Sequence, residues 1–286
     1  MSLTKTVTHY GSLVKLSHTV FALPFAMAAV VLAAPFAQVT VTKVMLIVLC
    51  IAAARTAAMG FNRLVDRDID AANPRTQDRE LPRGILSVTS VRLLVLGACT
   101  AFVIGAGLLG RLPLLLSLPT LALALGYSYA KRYTSLCHVI LGFAVALAPG
   151  GAWIALGAEV TLAPWLLVIG VAAWVAGFDV MYSLQDRDFD DGARLHSMPV
   201  ALGVRGSLVA SALLHVVTVA CLFTVGQLLH RGPAYLVGVG LVTALLVYEH
   251  SLVRPNDLSK VNRAFFDLNG YVSLAFFVCV GLDYWI

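Results

Sequence analysis

Apolar residues run along this chain in long unbroken stretches, and polar residues gather in short gaps between them. Nine such runs follow in order: 19–39, 44–60, 93–110, 112–130, 136–156, 160–181, 207–229, 233–248 and 268–286. Each approaches the roughly 20 residues that an α-helix needs to cross about 30 Å of hydrocarbon. The pattern therefore predicts an all-α integral membrane fold with nine transmembrane helices. The fourth run is divided from the third by little more than Arg111. Two longer polar stretches stand out, 61–90 after the second run and 183–206 after the sixth.

Composition supports the bilayer as solvent. Of 286 residues, 59% are hydrophobic and 12% charged, with a mean hydropathy of +0.87. A water-soluble core cannot use that much apolar surface. One transmembrane domain is expected over 1–286, and the first run reads as a retained span, since no small-residue cleavage site follows it. The placement of Lys and Arg sets the orientation. With a cytoplasmic N-terminus, sixteen of them fall on that side, and only Lys43, Arg111 and Arg231 fall on the other. The net charge of +5 restates this bias and gives no reason to expect nucleic acid as a partner. The five cysteines lie in or at the ends of apolar runs without CxxC spacing, which suits packing rather than disulfides or metal.

Both polar stretches carry an acidic cluster, "NRLVDRDID" at 62–70 and "SLQDRDFDD" at 183–191. A local repeat continues beyond each, with "LPRG" at 81–84 against "MPVALG" at 198–203. Asn62, Asp66 and Asp70 are spaced i, i+4, i+8 and are expected on one stripe at the end of the second transmembrane helix. Asp186 and Asp190 repeat the i, i+4 pair, and Asp179 lies seven residues earlier on the same face. Asp68 and Asp188 point elsewhere, toward solvent or nearby arginines. Stacked carboxylates repel one another, and more so beside a bilayer. Mg²⁺ would offset that repulsion, because it takes hard oxygen ligands: one or two carboxylates, waters and substrate phosphates.

Basic residues on the same side fit a phosphate ligand. Arg55, Arg75, Arg79 and Lys131 lie in or beside the polar loops. Arg55 sits inside an apolar run, where an arginine usually faces a cavity or an anion. Lys15 suits either a ligand contact or an anchor before the first helix. His18, His138 and His196 lack metal-ligand spacing and read as hydrogen-bonded pocket or interface residues. Glu249 and Asp267 are expected to pair with Arg or Lys, and most aromatic residues to face lipid or the interface.

These motifs resemble those of the UbiA superfamily of intramembrane prenyltransferases. The resemblance rests on NxxxDxxxD at 62–70, the second DxxxD, "KRYT" at 131–134 and "AANPRT" at 71–76. It implies nine helices around a central cavity, capped by the cytoplasmic loops after helices 2 and 6, with two Mg²⁺ ions bridging a prenyl diphosphate to the aspartates. Carried over by position, Asn62, Asp66 and Asp70 form the first metal motif and Asp186 and Asp190 the second. The resemblance puts Lys131 and Arg55 on the diphosphate or in support of the pocket, and Tyr127 and Tyr182 among its aromatic lining.

"KRYT" is similar to the 4-hydroxybenzoate polyprenyltransferase branch. Those enzymes usually continue with a Pro-Gln pair, where this chain has Cys137 and His138. That form, with "GFDVMYSLQD" at 177–186 and "LAPGGAWIA" at 147–155, resembles bacterial relatives of the futalosine route to menaquinone. The acceptor is thus 4-hydroxybenzoate or a dihydroxynaphthoate, and the expected reaction is electrophilic substitution on its ring. Arg132 is a candidate for the acceptor's carboxylate and equally an anchor at the membrane edge. Asp179 could take the phenolic proton or serve as a structural hydrogen-bonding group. The rival readings are a membrane transporter, although transporters usually place polar residues at the midplane, and another prenyltransferase of the UbiA type with a non-benzoate acceptor.

Overall fold

The structure is a computed structural model that describes residues 3–14, 19–263 and 268–286. Lys15, His18 and Asp267 lie outside the described residues. Among those described, every element is a helix, and the single β-type pairing is an isolated bridge between Arg254 and Asp257. The helices are α1 (Leu3–Leu13), α2 (Thr19–Ala33), α3 (Val41–Val65), α4 (Arg67–Ala72), α5 (Val88–Leu109), α6 (Arg111–Gly126) and α7 (Cys137–Leu156). Then follow α8 (Leu162–Ser183), α9 (Arg187–Gly192), α10 (Met198–Leu228), α11 (Pro233–Leu252), α12 (Val261–Arg263) and α13 (Asn269–Trp285).

Seven of the described helices are long and apolar enough to cross a membrane. The first and last apolar runs hold shorter helices, α2 with 15 residues and α13 with 17. The seventh run extends further than expected, because α10 begins at Met198 and bends at Gly203 (φ 65°, ψ 178°). Large side chains such as Leu96, Leu108, Leu115, Leu118, Leu213 and Val216 are 62–68% exposed. In water such a surface would aggregate; in hydrocarbon it costs nothing. The chain is an integral membrane protein.

The described chain packs as two compact units. The first comprises Met1–Thr19 and Met45–Tyr129. Here α3 and α5 run antiparallel in close contact. A Cβ on Gly60 would stand 2.7 Å from Val95, while toward the other end of α3 the Cys50 thiol meets the Phe102 carbonyl at 3.9 Å. Lipid tails are as apolar as leucine, so small residues that let backbones approach are what hold such helices together. The polar loop after α4 is tied down as well. Its Leu81 and Leu86 pack with Leu13 of α1 and Val91 of α5. Ser87 then caps α5 by accepting from the Ser90 amide at 3.1 Å.

The second unit comprises Val20–Val44 and Ala130–Ile286. Its centre is α8, in which fifteen of 22 residues are buried, the all-round apolar burial of a core helix. Gly142 of α7 lies directly on the Ala172 carbonyl of α8, and Gly177 of α8 lies against the His215 ring of α10. Most aromatic residues are exposed or half-buried, as expected, and a few build the core: Phe25, Trp174 and Phe276 are fully buried and stack at centroid distances of 4.9 Å (Phe25–Trp174) and 5.2 Å (Phe25–Phe276). Glu249 corrects an expectation. Among the described residues it pairs with no cation; its Oε1 accepts from Asn269 at 3.0 Å, and Asn269 accepts from the Trp174 indole at 2.8 Å. An amide supplies a donor without the cost of burying a second charge. All five cysteines are free, three of them buried, as packing residues would be.

Candidate active site

Both acidic motifs are built the same way. A long helix stops at an aspartate, and a six-residue helix starts from it. Asp66 (φ −91°, ψ 4°) separates α3 from α4, and Asp186 (φ −100°, ψ −1°) separates a 3₁₀ turn after α8 from α9. The expected uninterrupted helical stripe is thus broken at its middle residue. Hydrogen bonding still keeps the spacing in the first motif: the Asp66 amide donates to Asn62 O at 2.9 Å and the Asp70 amide to Asp66 O at 2.7 Å. An aspartate leading each short helix also sets negative charge at a positive helix end.

In the first unit, Asn62 Nδ2 donates to Asp66 Oδ2 at 3.1 Å. Asp66 and Asp70 are 3% and 4% exposed. Arg79 reaches both oxygens of Asp70, at 2.7 and 2.8 Å. The loop aims it there. Asn73 accepts from the Arg75 amide, Thr76 donates its hydroxyl to the Asp70 carbonyl, and the Arg79 amide donates to Thr76 O. Arg63, counted from sequence only as a positive-inside charge, is buried and lies 3.9 Å from Asp70. Arg55 lies beside Tyr127, and its Nε meets no hydrogen-bond partner among the described residues. Arg75 is exposed, and Asp68 bonds Arg67 at the surface, as expected.

In the second unit, Asp186 and Asp190 are close enough to repel, and Lys131 offsets Asp190. Lys131 comes from the 3₁₀ turn Tyr127–Arg132, which the His196 amide holds by donating to Lys131 O at 2.7 Å. Asp179 bonds His138 at 2.7 Å, across 41 residues of sequence. Tyr182 packs against the cluster of Met181, Leu184, Val253 and Val261, and Arg132 is half-buried at the end of its turn.

The donors suit Mg²⁺. Each motif offers carboxylate oxygens, with an amide beside Asp66, and neither offers sulfur or imidazole in a chelating set. Among the described residues, no three His, Cys, Asp or Glu side chains converge closely enough to hold a metal by themselves. That is the donor set of an ion completed by substrate phosphates and water.

Comparison with known proteins shows the family. The UbiA prenyltransferase family matches residues 22–277. The chain belongs to the UbiA prenyltransferase family. Among its relatives is a 4-hydroxybenzoate octaprenyltransferase of Chromohalobacter salexigens, 32% identical over 232 residues, 81% of this chain and 77% of the relative. Another, from Yersinia enterocolitica, is 30% identical over 85% of this chain and 84% of its own. An apo UbiA homolog from Aeropyrum pernix K1 superposes with a TM-score of 0.81 at 31% identity, covering 93% of this chain and 96% of that one. A UbiA homolog from Archaeoglobus fulgidus, bound to DMAPP and Mg²⁺, shares the fold (TM-score 0.75, 20% identity, 97% and 99% covered). As a UbiA enzyme, the chain transfers prenyl groups.

Proposed function

We propose that this enzyme transfers a polyprenyl group from a polyprenyl diphosphate to a ring carbon of an aromatic acid, in a Mg²⁺-dependent step of quinone synthesis. The observation that carries the reading is the repeated helix–Asp–short-helix motif, with a cation at each copy: Arg79 at the first and Lys131 at the second. The hydroxybenzoate octaprenyltransferases among its relatives favour 4-hydroxybenzoate as acceptor and ubiquinone as destination. Cys137 and His138 after "KRYT" favour a dihydroxynaphthoate and menaquinone. We further propose nine membrane crossings, with both acidic motifs at the cytoplasmic edge and both needed for a single turnover.

When bound, Mg²⁺ neutralises the diphosphate and stabilises it as a leaving group. Asp66 with Asn62, Asp70, Asp186 and Asp190 would hold two such ions. Arg55, Arg75 and Lys131 would bind phosphate oxygens, and Arg132 the acceptor's carboxylate. Tyr127 and Tyr182 would flank the allylic carbons, and the apolar helix faces would exclude water that quenches a carbocation. Asp179 would take the proton of the acceptor's hydroxyl as the ring carbon attacks. Lipid would accommodate the prenyl tail.

The test is prenyl transfer by purified enzyme with geranyl diphosphate and each aromatic acid. Product that depends on Mg²⁺ supports the reading. Absence of product with both acids, despite Mg²⁺-dependent binding of geranyl diphosphate, removes the aromatic acceptor from it.

A further inference from the structure

His138 lies in the first turn of α7 and is 5% exposed. One edge of its ring faces a carboxylate, with Nδ1 2.7 Å from Asp179 Oδ2. The other edge faces a donor, since the Met198 amide points at Nε2 from 3.4 Å. Ser183 Oγ also lies 3.5 Å from Nε2, but its hydroxyl is already donated to Val180 O at 2.9 Å. An ionised carboxylate can only accept, so the Nδ1 edge carries a proton and donates it to Asp179. The imidazole therefore spans α7, α8 and the first turn of α10. Asp179 Oδ1 accepts no hydrogen bond among the described residues, and the side chain is 21% exposed.

We propose that His138 is a positioning residue for Asp179: it grips the carboxylate by Oδ2 so that Oδ1 is presented to the hydroxyl of the aromatic acceptor. The inference rests on the aromatic prenyl transfer proposed above. In that step the hydroxyl proton moves to Asp179 Oδ1, and the O–H electrons enter the ring. The ring carbon then bonds the prenyl C1 as the C1–O bond to diphosphate breaks. The ring proton lost on rearomatisation leaves with diphosphate, and Asp179 returns its proton to the oxygen. A carboxylate free to rotate about its side-chain torsions would meet the hydroxyl in only a fraction of its conformations. Locking one oxygen removes that freedom before the reaction.

The experiment compares His138→Leu, His138→Asn and His138→Gln in the full-length enzyme. Steady-state rates are measured alongside Mg²⁺-dependent binding of geranyl diphosphate. Leucine removes the donor, and kcat is expected to fall by about 10²-fold, the scale of a misplaced general base, with KM for geranyl diphosphate unchanged. Asparagine and glutamine each restore an N–H, and at least one is expected to recover kcat to within about threefold of wild type. Two outcomes overturn the proposal: wild-type kcat in the leucine variant, or donor variants as impaired as leucine while geranyl diphosphate binding is intact. Should leucine fail to fold, the two amide variants still decide it. A wild-type enzyme that prenylates no aromatic acid overturns the proposed function and this role together. An active wild type with an unaffected leucine variant overturns only the role of His138.

Discussion

At the scale of residues, the molecule keeps charge beside a bilayer by giving buried carboxylates specific partners. Asp70 is the clearest case, with Arg79 on both oxygens and Arg63 behind. Removing one side of a buried pair strands the other. Arg79 is one-quarter exposed, so water softens the loss. Arg79→Ala is expected to cost about 2 kcal/mol, read as a lower melting temperature in detergent. Adding Asp70→Ala should return part of it, and strict additivity of the two losses would deny the coupling. In the proposed reaction Asp66 and Asp190 hold the metal that binds the substrate. Asp66→Asn and Asp190→Asn are each expected to lower kcat/KM by about 10²-fold or more, measured as prenylated product by mass. Periodicity alone put these aspartates in a common motif. Arg63 stands seven residues before Asp70, on the face that helical spacing shares, but read from sequence only as a positive-inside charge; the His138–Asp179 contact was hidden, because no spacing rule links two residues 41 apart.

At the scale of elements, the apolar runs revealed the helices but not their interruptions. An i, i+4 pattern survives a break that preserves helical hydrogen bonding, as at Asp66, so the sequence looks continuous where the backbone is not. Burial was also hard to read. In a membrane chain, lipid-facing and core-facing positions are equally apolar, and the period that separates faces in water fades. Trp174 and Phe276 lie in the core, in runs that are as apolar as those facing lipid. The contacts that matter between helices are made by small residues. Gly142→Ala would drive a methyl group into the Ala172 carbonyl of α8. Separation of α7 from α8 is expected to cost about 1–3 kcal/mol in thermal unfolding, and an unchanged melting temperature would contradict this packing. Asn269→Leu is expected to destabilise by a similar amount, about 1–3 kcal/mol, because it leaves both Glu249 and Trp174 without their partner.

At the scale of the whole molecule, the membrane decides what the sequence can say. Hydropathy was enough for an all-helical integral membrane protein, and seven long apolar helices among the described residues agree. The proposed orientation places both acidic motifs in the cytoplasm. Gln77→Cys and Asp191→Cys, both at exposed positions, should then label with an impermeant maleimide in inside-out vesicles above the level of the native cysteines. Labelling only in right-side-out vesicles would reverse the topology. The central claim is chemical, and a single assay tests it most directly. Purified enzyme with Mg²⁺ and geranyl diphosphate is given 4-hydroxybenzoate and 1,4-dihydroxy-6-naphthoate in parallel, and product is followed by mass. Prenylated product from one acid, abolished by EDTA and restored by Mg²⁺, is the expected result. Product that persists undiminished in EDTA, or no product from either acid, would contradict it.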